Sequence, residues 1–383
     1  RGTPPREMAT DGAPLPPPPP EAELRGGDGS DDATRAWLRV THDDGPCQRS
    51  LHVAAIWRDK MLCFGGYDGS TRVNDCWEFD FGKRQWAVVT PASGAPPTPR
   101  DRHVAVVWGA SFYVFAGFDG TSRVNDFHEF SFSTNAWAPV RALSGLAPSP
   151  RHSHAAVVYQ DSLYVFGGYD GSYRNDFHEF NFVTCAWAPI TGDGRVPRAR
   201  YRATCVVHDQ AMYLFGGHDG TRHLNDVHVF DFGTRAWAGL QADGPAPIPR
   251  DSHVAVTHGN SMFVFGGSTG SAMNDFHELR LDVRKWQPVQ AAGYAPGHRF
   301  CHVAVVHKDS LYVLRRGNLR LSPKSVRAVA ARDYAPSFVR CKKRARPLAG
   351  TSSAATTART ASTTSSSSSS DSAARTSPRL PSS

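Results

Sequence analysis

Histidine and cysteine give this 383-residue chain its most obvious chemical capacity, with seventeen of the first and seven of the second. Imidazole binds metals and moves protons near neutral pH, and thiolate ligates or attacks. Spacing decides whether they do so here. His52, His103, His154, His253 and His302 recur at one slot roughly every 50 residues, with Ala203 in the remaining place. His128, His178, His228 and His277 recur at a second slot. Ligands of one ion must converge, whereas equivalent slots of repeating units are spread apart, so both sets read as structural. The cysteines, at 47, 63, 76, 185, 205, 301 and 341, are odd in number and show no C-x-x-C spacing. That argues against a disulfide framework or a structural zinc site and fits a reducing compartment. No G-x-S-x-G, H-E-x-x-H or P-loop occurs. The expectation is no catalytic residue, no metal and no cofactor.

The net charge of +8 is unevenly placed. From Arg315 onward there are 14 Lys and Arg against two acids, a net of +12, which leaves the preceding residues at −4. The body is mildly acidic, so neither a nucleic-acid nor a membrane partner is expected, and the "KKRAR" of 342–346 matches a nuclear-localisation pattern only loosely. No stretch approaches the roughly 18 apolar residues that span a bilayer, and none reads as a charged-then-apolar signal peptide. A cytoplasmic location is expected, with the nucleus as the alternative.

The positioning elements follow from the repetition. Trp37, Trp86, Trp137, Trp187, Trp237 and Trp286 fall 49, 51, 50, 50 and 49 residues apart. Gly-Gly pairs at 65–66, 167–168, 216–217 and 266–267 keep the step, with Ala116-Gly117 in the second unit. Asn-Asp pairs follow at 74–75, 125–126, 175–176, 225–226 and 274–275, and Arg49, Arg100, Arg151, Arg200, Arg250 and Arg299 open the units. Each unit reads as four short strands: in the second, an apolar run (103–110), an aromatic and β-branched run (111–117), an alternating run (125–132) and a Trp-bearing run (135–140). Gly and Pro punctuate them, and no helical period is sustained. The glycine pairs are expected to turn the chain after the second strand, with only the second glycine strict. The tryptophans should fill the wedge between units, and the Asn-Asp pairs should satisfy turn backbone before the third strand.

Four strands per 50-residue unit make a β-propeller blade, and the period is that of kelch repeats. With its Gly-Gly closing the second strand, followed by a spaced aromatic residue and a Trp, residues 37–314 resemble the kelch family. "FGGYDG" (64–69) and "VNDCWEFD" (73–80) look most like the kelch region of the leucine-zipper-like transcriptional regulator type, in which blades precede BTB domains. The fold expectation is an all-β, six-bladed kelch β-propeller over 34–314, with five complete blades and one composite, incomplete blade. In the composite, a lone fourth strand (35–40) joins strands at 302–307 and 311–314. Residues 1–33, Pro/Gly-rich, and the basic then Ser/Thr-rich 315–383 are expected to be disordered.

The pattern breaks at Leu314-Arg315-Arg316, where Phe-Gly-Gly is due, and the third strand of the composite blade goes missing. Leu-Arg-Arg can be encoded CTT-CGG-CGG, which read one base later gives TTC-GGC-GG, or Phe-Gly-Gly. A one-base frameshift near residue 314 is therefore expected, with everything after it out-of-frame translation; the alternative is a natural divergent basic tail.

In kelch proteins the loop after Gly-Gly and the connection between blades share a partner-binding face. The resemblance therefore places Tyr67, Phe118, Tyr169 and His218 around that face, with Arg72, Arg123, Arg174 and Arg222 nearby and Asp68, Asp119, Asp170 and Asp219 available to pair with them. Asp101, Arg102, His152, Tyr201 and Arg202 vary from unit to unit and are specificity candidates. Tyr and Arg suit such a role because they combine large contact area with directed hydrogen bonds. The function expected is non-enzymatic binding of a protein partner. By resemblance the chain would be the substrate receptor of a cullin ubiquitin ligase, reached through a BTB domain that these residues do not contain. The alternatives are a scaffold for small GTPase, vesicle or cytoskeletal complexes, and a propeller-based oxidase or specifier enzyme.

Overall fold

A computed structural model describes residues 35–40, 45–293, 295–315 and 318–321. Every element among them is a strand. Five blades are each built from one continuous stretch. Blade I comprises Val53–Trp57, Lys60–Tyr67, Arg72–Asp80 and Gln85–Val88; blade II, Val104–Trp108, Ser111–Phe118, Arg123–Ser131 and Ala136–Pro139. Blade III comprises Ala155–Tyr159, Ser162–Tyr169, Tyr173–Asn181 and Ala186–Pro189; blade IV, Thr204–His208, Ala211–His218, His223–Asp231 and Ala236–Leu240; blade V, Val254–His258, Ser261–Ser268, Ala272–Arg280 and Lys285–Pro288. Each is an antiparallel meander. A composite sheet joins Val303–His307, Ser310–Arg315 and Asn318–Leu321 to the amino-terminal Ala36–Arg39, which also runs parallel to Ala292–Gly293. The third strand expected to be missing after Leu314 is therefore present as Asn318–Leu321, four residues long against nine in the complete blades. It pairs on one side with Ser310–Arg315 and on the other with Ala36–Arg39. The segments expected to be disordered, 1–33 and the chain after 321, lie outside the described residues.

The first strands lie side by side in a closed circuit, with Val303–His307 between those of blades V and I. A ring of backbone hydrogen bonds seals the circuit at one end. Arg102 N donates to Leu51 O, Ser153 N to Arg102 O, Arg202 N to Ser153 O, Ser252 N to Arg202 O, Cys301 N to Ser252 O, and Leu51 N to Cys301 O, all between 2.8 and 3.1 Å. Each member holds a left-handed φ between 53° and 60°, which costs a non-glycine residue about 1–2 kcal/mol. The geometry persists because the residues on both sides are fixed.

Those flanking residues include the repeating arginines. The side chains of Arg100, Arg151, Arg200 and Arg250 are at most 1% exposed and grip Asp126, Asp176, Asp226 and Asp275 of the third strand through both carboxylate oxygens at 2.6–2.9 Å; Arg49 does the same with Asp75. The same Nη1 donates to the carbonyl of the first glycine-slot residue, for example Gly167 at 2.9 Å. The arginine backbone meanwhile stitches to the preceding blade: Arg100 N donates to Val73 O, and Gly66 N donates to Arg100 O. One residue per unit thus clamps its own blade and its neighbour's. Burial raises the Asp126 carboxyl, but the Arg100 and His128 contacts outweigh it and hold it well below the usual carboxylate range. The Asn-Asp pairs do not serve a turn before the third strand. They lie within it, and the asparagine reaches the interblade connection, as with Asn125 Nδ2 donating to Pro148 O at 2.9 Å.

The glycine expectation has a physical basis. The strand register slips between Phe166 and Gly168, a bulge centred on the first glycine. First-slot φ values lie at 60–65°, a region Ala116 also occupies, whereas second-slot φ values such as 95° at Gly168 lie outside the left-handed region that other residues reach. The tryptophans fill the wedges as expected. Trp187 packs on Phe115 and Phe127 of blade II, and Trp37 on Phe265 and Phe276 of blade V.

The first-slot histidines are buried beside the circuit, edge-on to the preceding blade's Phe64, Phe115, Phe215 or Phe265 in four cases. Burial, then the neighbouring arginine charge, pushes His52, His103 and His253 down to about 3; His154 and His302 lie well below the usual value. In the unfolded chain they titrate near 6.5. The stabilisation is therefore complete above pH 6.5 and, for His52, His103 and His253, is lost as pH falls towards about 3. Denaturation midpoints should drop steeply over that window, and His103→Ala should reduce the slope by one proton, about 1.4 kcal/mol per pH unit. An unchanged slope would count against this assignment. For the clamp, Asp176→Ala strands a buried guanidinium and should cost about 3–5 kcal/mol. Arg151→Met leaves only the half-exposed Asp176 and should cost less, as urea unfolding of the two variants would show.

Candidate protein-binding face

The loops after the glycine pairs and the interblade connections meet on one face. Backbone bridges join Ser50 to Tyr67, Asp101 to Phe118, His152 to Tyr169, Tyr201 to His218 and Asp251 to Ser268. The connection residue of each pair is followed directly by a member of the hydrogen-bonded circuit, so Arg102 and Arg202 stand at the axis. The loop aspartates fix the turns: Asp68 Oδ1 accepts from the Ser70 and Thr71 amides, and Asp119 and Asp219 do likewise.

The expected arginine set separates into different positions. The residues that open the third strands are Arg72, Arg123, Tyr173, His223 and Ala272. Each of the first four reaches across to the next blade. Arg72 ion-pairs with Asp101 at 3.1 Å and lies 4.7 Å over the Phe118 ring. Arg123 lies 5.4 Å over Tyr169 and has no carboxylate partner among the described residues. Tyr173 meets Tyr201 at 5.3 Å, and His223 approaches Asp251 at 3.4 Å. Arg174 and Arg222 stay within their own loops, on Asp170 at 2.6 Å and Asp219 at 3.7 Å. The loops of blades III and V are one residue shorter than the rest, which displaces Arg174 from the place of Arg72.

The result is an unbroken arc over four blades. It runs from Tyr67 through Arg72 to Phe118, His152, Tyr169, Tyr173, Tyr201 and His218, with ring centroids 5.3–6.2 Å apart from Phe118 to His218. It stops at blade V, where Ser268 and Ala272 take the equivalent places. Burial and the charges of Arg102, Arg123 and Arg202 push His152 down to about 4, so it is neutral at physiological pH. Asp101 is only 1% exposed and is neutralised by Arg72 and Arg102; it positions these arginines and is not itself a contact surface. Arg202 covers the Tyr201 ring at 4.9 Å.

Inside the circuit lies a cavity of about 130 Å³ lined by Arg102, Arg202, Ser153, Ser252, Cys301 and the buried histidines. Ala203 widens it where a histidine stands in the other blades, and Thr204 Oγ1 meets His253 Nε2 at 2.7 Å. No group of His, Cys, Asp or Glu among the described residues is arranged to hold a metal ion. Nor is any described helix long and apolar enough to cross a membrane. Reading of the sequence missed Tyr173, His223, Asp251 and Phe300. Phe300 follows Arg299 as Asp101 follows Arg100 and is 51% exposed; the arginine register was the signal that could have found it.

Comparison with known proteins gives the same architecture. The model of the KLHDC2/KLHL20/DRC7 Kelch-repeats domain matches residues 30–187 and 140–315. The leucine-zipper-like transcriptional regulator 1 homolog of Drosophila melanogaster is 34% identical over 151 residues, 37% of this chain and 15% of the fly protein. The human leucine-zipper-like transcriptional regulator 1 is 35% identical over 131 residues, 32% of this chain and 16% of that protein. N-(sulfonatooxy)prop-2-enimidothioate sulfolyase of Thlaspi arvense is 34% identical over 140 residues, 34% of this chain and 39% of the enzyme. The chain thus spans under a fifth of the two regulators. With five four-stranded blades, a clamped arginine in each and a family model covering most of its length, the chain belongs to the kelch-repeat family.

Proposed function

We propose that this chain is a non-enzymatic recognition module that binds a protein partner through the loop face, with the composite sheet closing the circuit as a sixth blade. The observation that carries the reading is the arc from Tyr67 to His218. Its side chains come from four blades, and Arg72, Phe118, His152, Tyr169, Tyr173 and Tyr201 each touch a neighbour across a blade boundary, while Tyr67 and His218 at the two ends pack within their own blades. Such a surface loses little side-chain freedom on binding, and aromatic and arginine groups contribute most at interface centres. The partner surface should be large enough to span several blades and should meet Arg123 with an acidic or carbonyl group. The likeness to the kelch–BTB type supports a narrower role, selecting substrates for a cullin ubiquitin ligase in a longer protein; recovery of a cullin with the complete gene product, and its loss on deleting the BTB segment, tests that role.

Capture by the full chain, compared among variants, tests the general reading. Tyr169→Ala and Tyr201→Ala should each weaken a captured partner by at least about tenfold, the loss of a typical hot spot. Val183→Asp, on the turn at the far end of the third strand of blade III, should leave binding unchanged. Equal binding by all four proteins would reject the loop face.

A further inference from the structure

The interblade connections differ in chemistry at one slot. Two residues before the repeating arginines stand Cys47, Thr98, Ser149, Arg198, Ile248 and Gly297. The backbone carbonyl of this residue accepts from the guanidinium Nε in every unit, as with Ser149 O at 3.0 Å. Arg198 shows where a long side chain from the slot goes: its Nη1 meets Asp219 Oδ2, the loop aspartate of blade IV, at 3.1 Å. In blade III the slot holds Ser149. Its hydroxyl donates to Asp170 Oδ2 at 2.6 Å and accepts from Arg151 Nη2 at 2.8 Å. Asp170 also accepts from Arg174 Nε at 2.6 Å and from the Ser172 amide at 3.1 Å. One hydroxyl therefore ties a connection to the Tyr169 loop.

Ser149 is followed by Pro150 and Arg151, and the exposed residues 141–146 precede it in a connection that pairs with strands only through isolated bridges, at Ser144 and at His152. We propose that Ser149 is the phosphoacceptor of a proline-directed serine/threonine kinase and that its phosphate rearranges loop 170–174. The second half deepens the loop-face reading and rests on it for its functional meaning. In the transfer, the Ser149 hydroxyl oxygen bonds to the γ-phosphorus of ATP. The bond from that phosphorus to the β,γ-bridging oxygen breaks, ADP leaves with the electron pair, and the hydroxyl proton passes to the kinase's carboxylate base. Phosphoserine has no O–H donor and carries a charge of about −1.5 to −2. The bond to Asp170 becomes a repulsion between anions, at the place where the next blade supplies the cation Arg198. Arg151 stays in place on Asp176 and Gly167. Arg174, half exposed and paired with Asp170 alone among the described residues, is the cation able to change partner. Thr98, in Thr98-Pro99-Arg100, provides an internal contrast. Its hydroxyl also accepts from the arginine, at 2.9 Å, but makes no bond to Asp119 among the described residues.

The test uses the full chain, a proline-directed kinase and Mg-ATP, with peptide mass spectrometry to locate phosphate and amide exchange to follow the loops. Expected are phosphate on Ser149, its absence in Ser149→Ala, and exchange of the Ser172 amide about tenfold faster in the phosphorylated chain, as for loss of one hydrogen bond. Loop 119–123 should be unchanged. Modification confined to Thr98 or the chain ends would overturn the site, and phosphate on Ser149 with unaltered exchange at 170–174 would overturn the rearrangement. Neither readout involves a partner, so failure here is distinguishable from failure of the loop face to bind one.

Discussion

The circuit of backbone hydrogen bonds through Leu51, Arg102, Ser153, Arg202, Ser252 and Cys301 is the constraint on which the other features hang. It demands a left-handed turn at six ordinary residues, and none would hold that conformation alone. The turn puts each connection residue against its own second strand and aims the next residue, usually histidine, into the wedge beside the preceding blade. The point where each loop begins is consequently placed by the axis, while the loop's own aspartate and length shape its turn. That is why side chains as different as Arg72, Tyr173 and His223 can occupy one position and still reach the adjacent blade.

The arginine clamp is how strain at the axis is offset further out. Its guanidinium fixes the bulge carbonyl and the third strand, while its backbone joins the blade before it. A buried ion pair is seldom a large net source of stability; here the geometry points to specificity of register. Two carboxylate oxygens and one carbonyl, all on the same guanidinium, fit a single offset between the second and third strands. A slip by one residue would turn every alternating side chain to the wrong face.

Much of this was legible in the sequence. The 50-residue step, the four strands, the wedge tryptophans and the stricter second glycine all follow from residue type and period. The arginine–aspartate pairing was present as two registers of constant offset, yet nothing local shows that residues 25 or 26 apart touch. That contact arises only once a hairpin and a bulge bring the third strand back past the connection. The grouping of Arg72, Arg123, Arg174 and Arg222 failed for a similar reason, because a one-residue difference in loop length changes which side chain opens the strand. The short strand after Leu314 carries no kelch pattern, and its place is set by the two strands that flank it.

The composite sheet makes the first of the described strands the neighbour of the last. During synthesis Ala36–Arg39 must wait for about 280 more residues before Asn318–Leu321 exists to receive it. At translation rates of about 5–20 residues per second that is a wait of roughly 15–60 s. Throughout it, Trp37 and the open flank of blade I have no cover from the carboxy-terminal side, and an uncovered strand edge of this kind is a template for pairing with another chain.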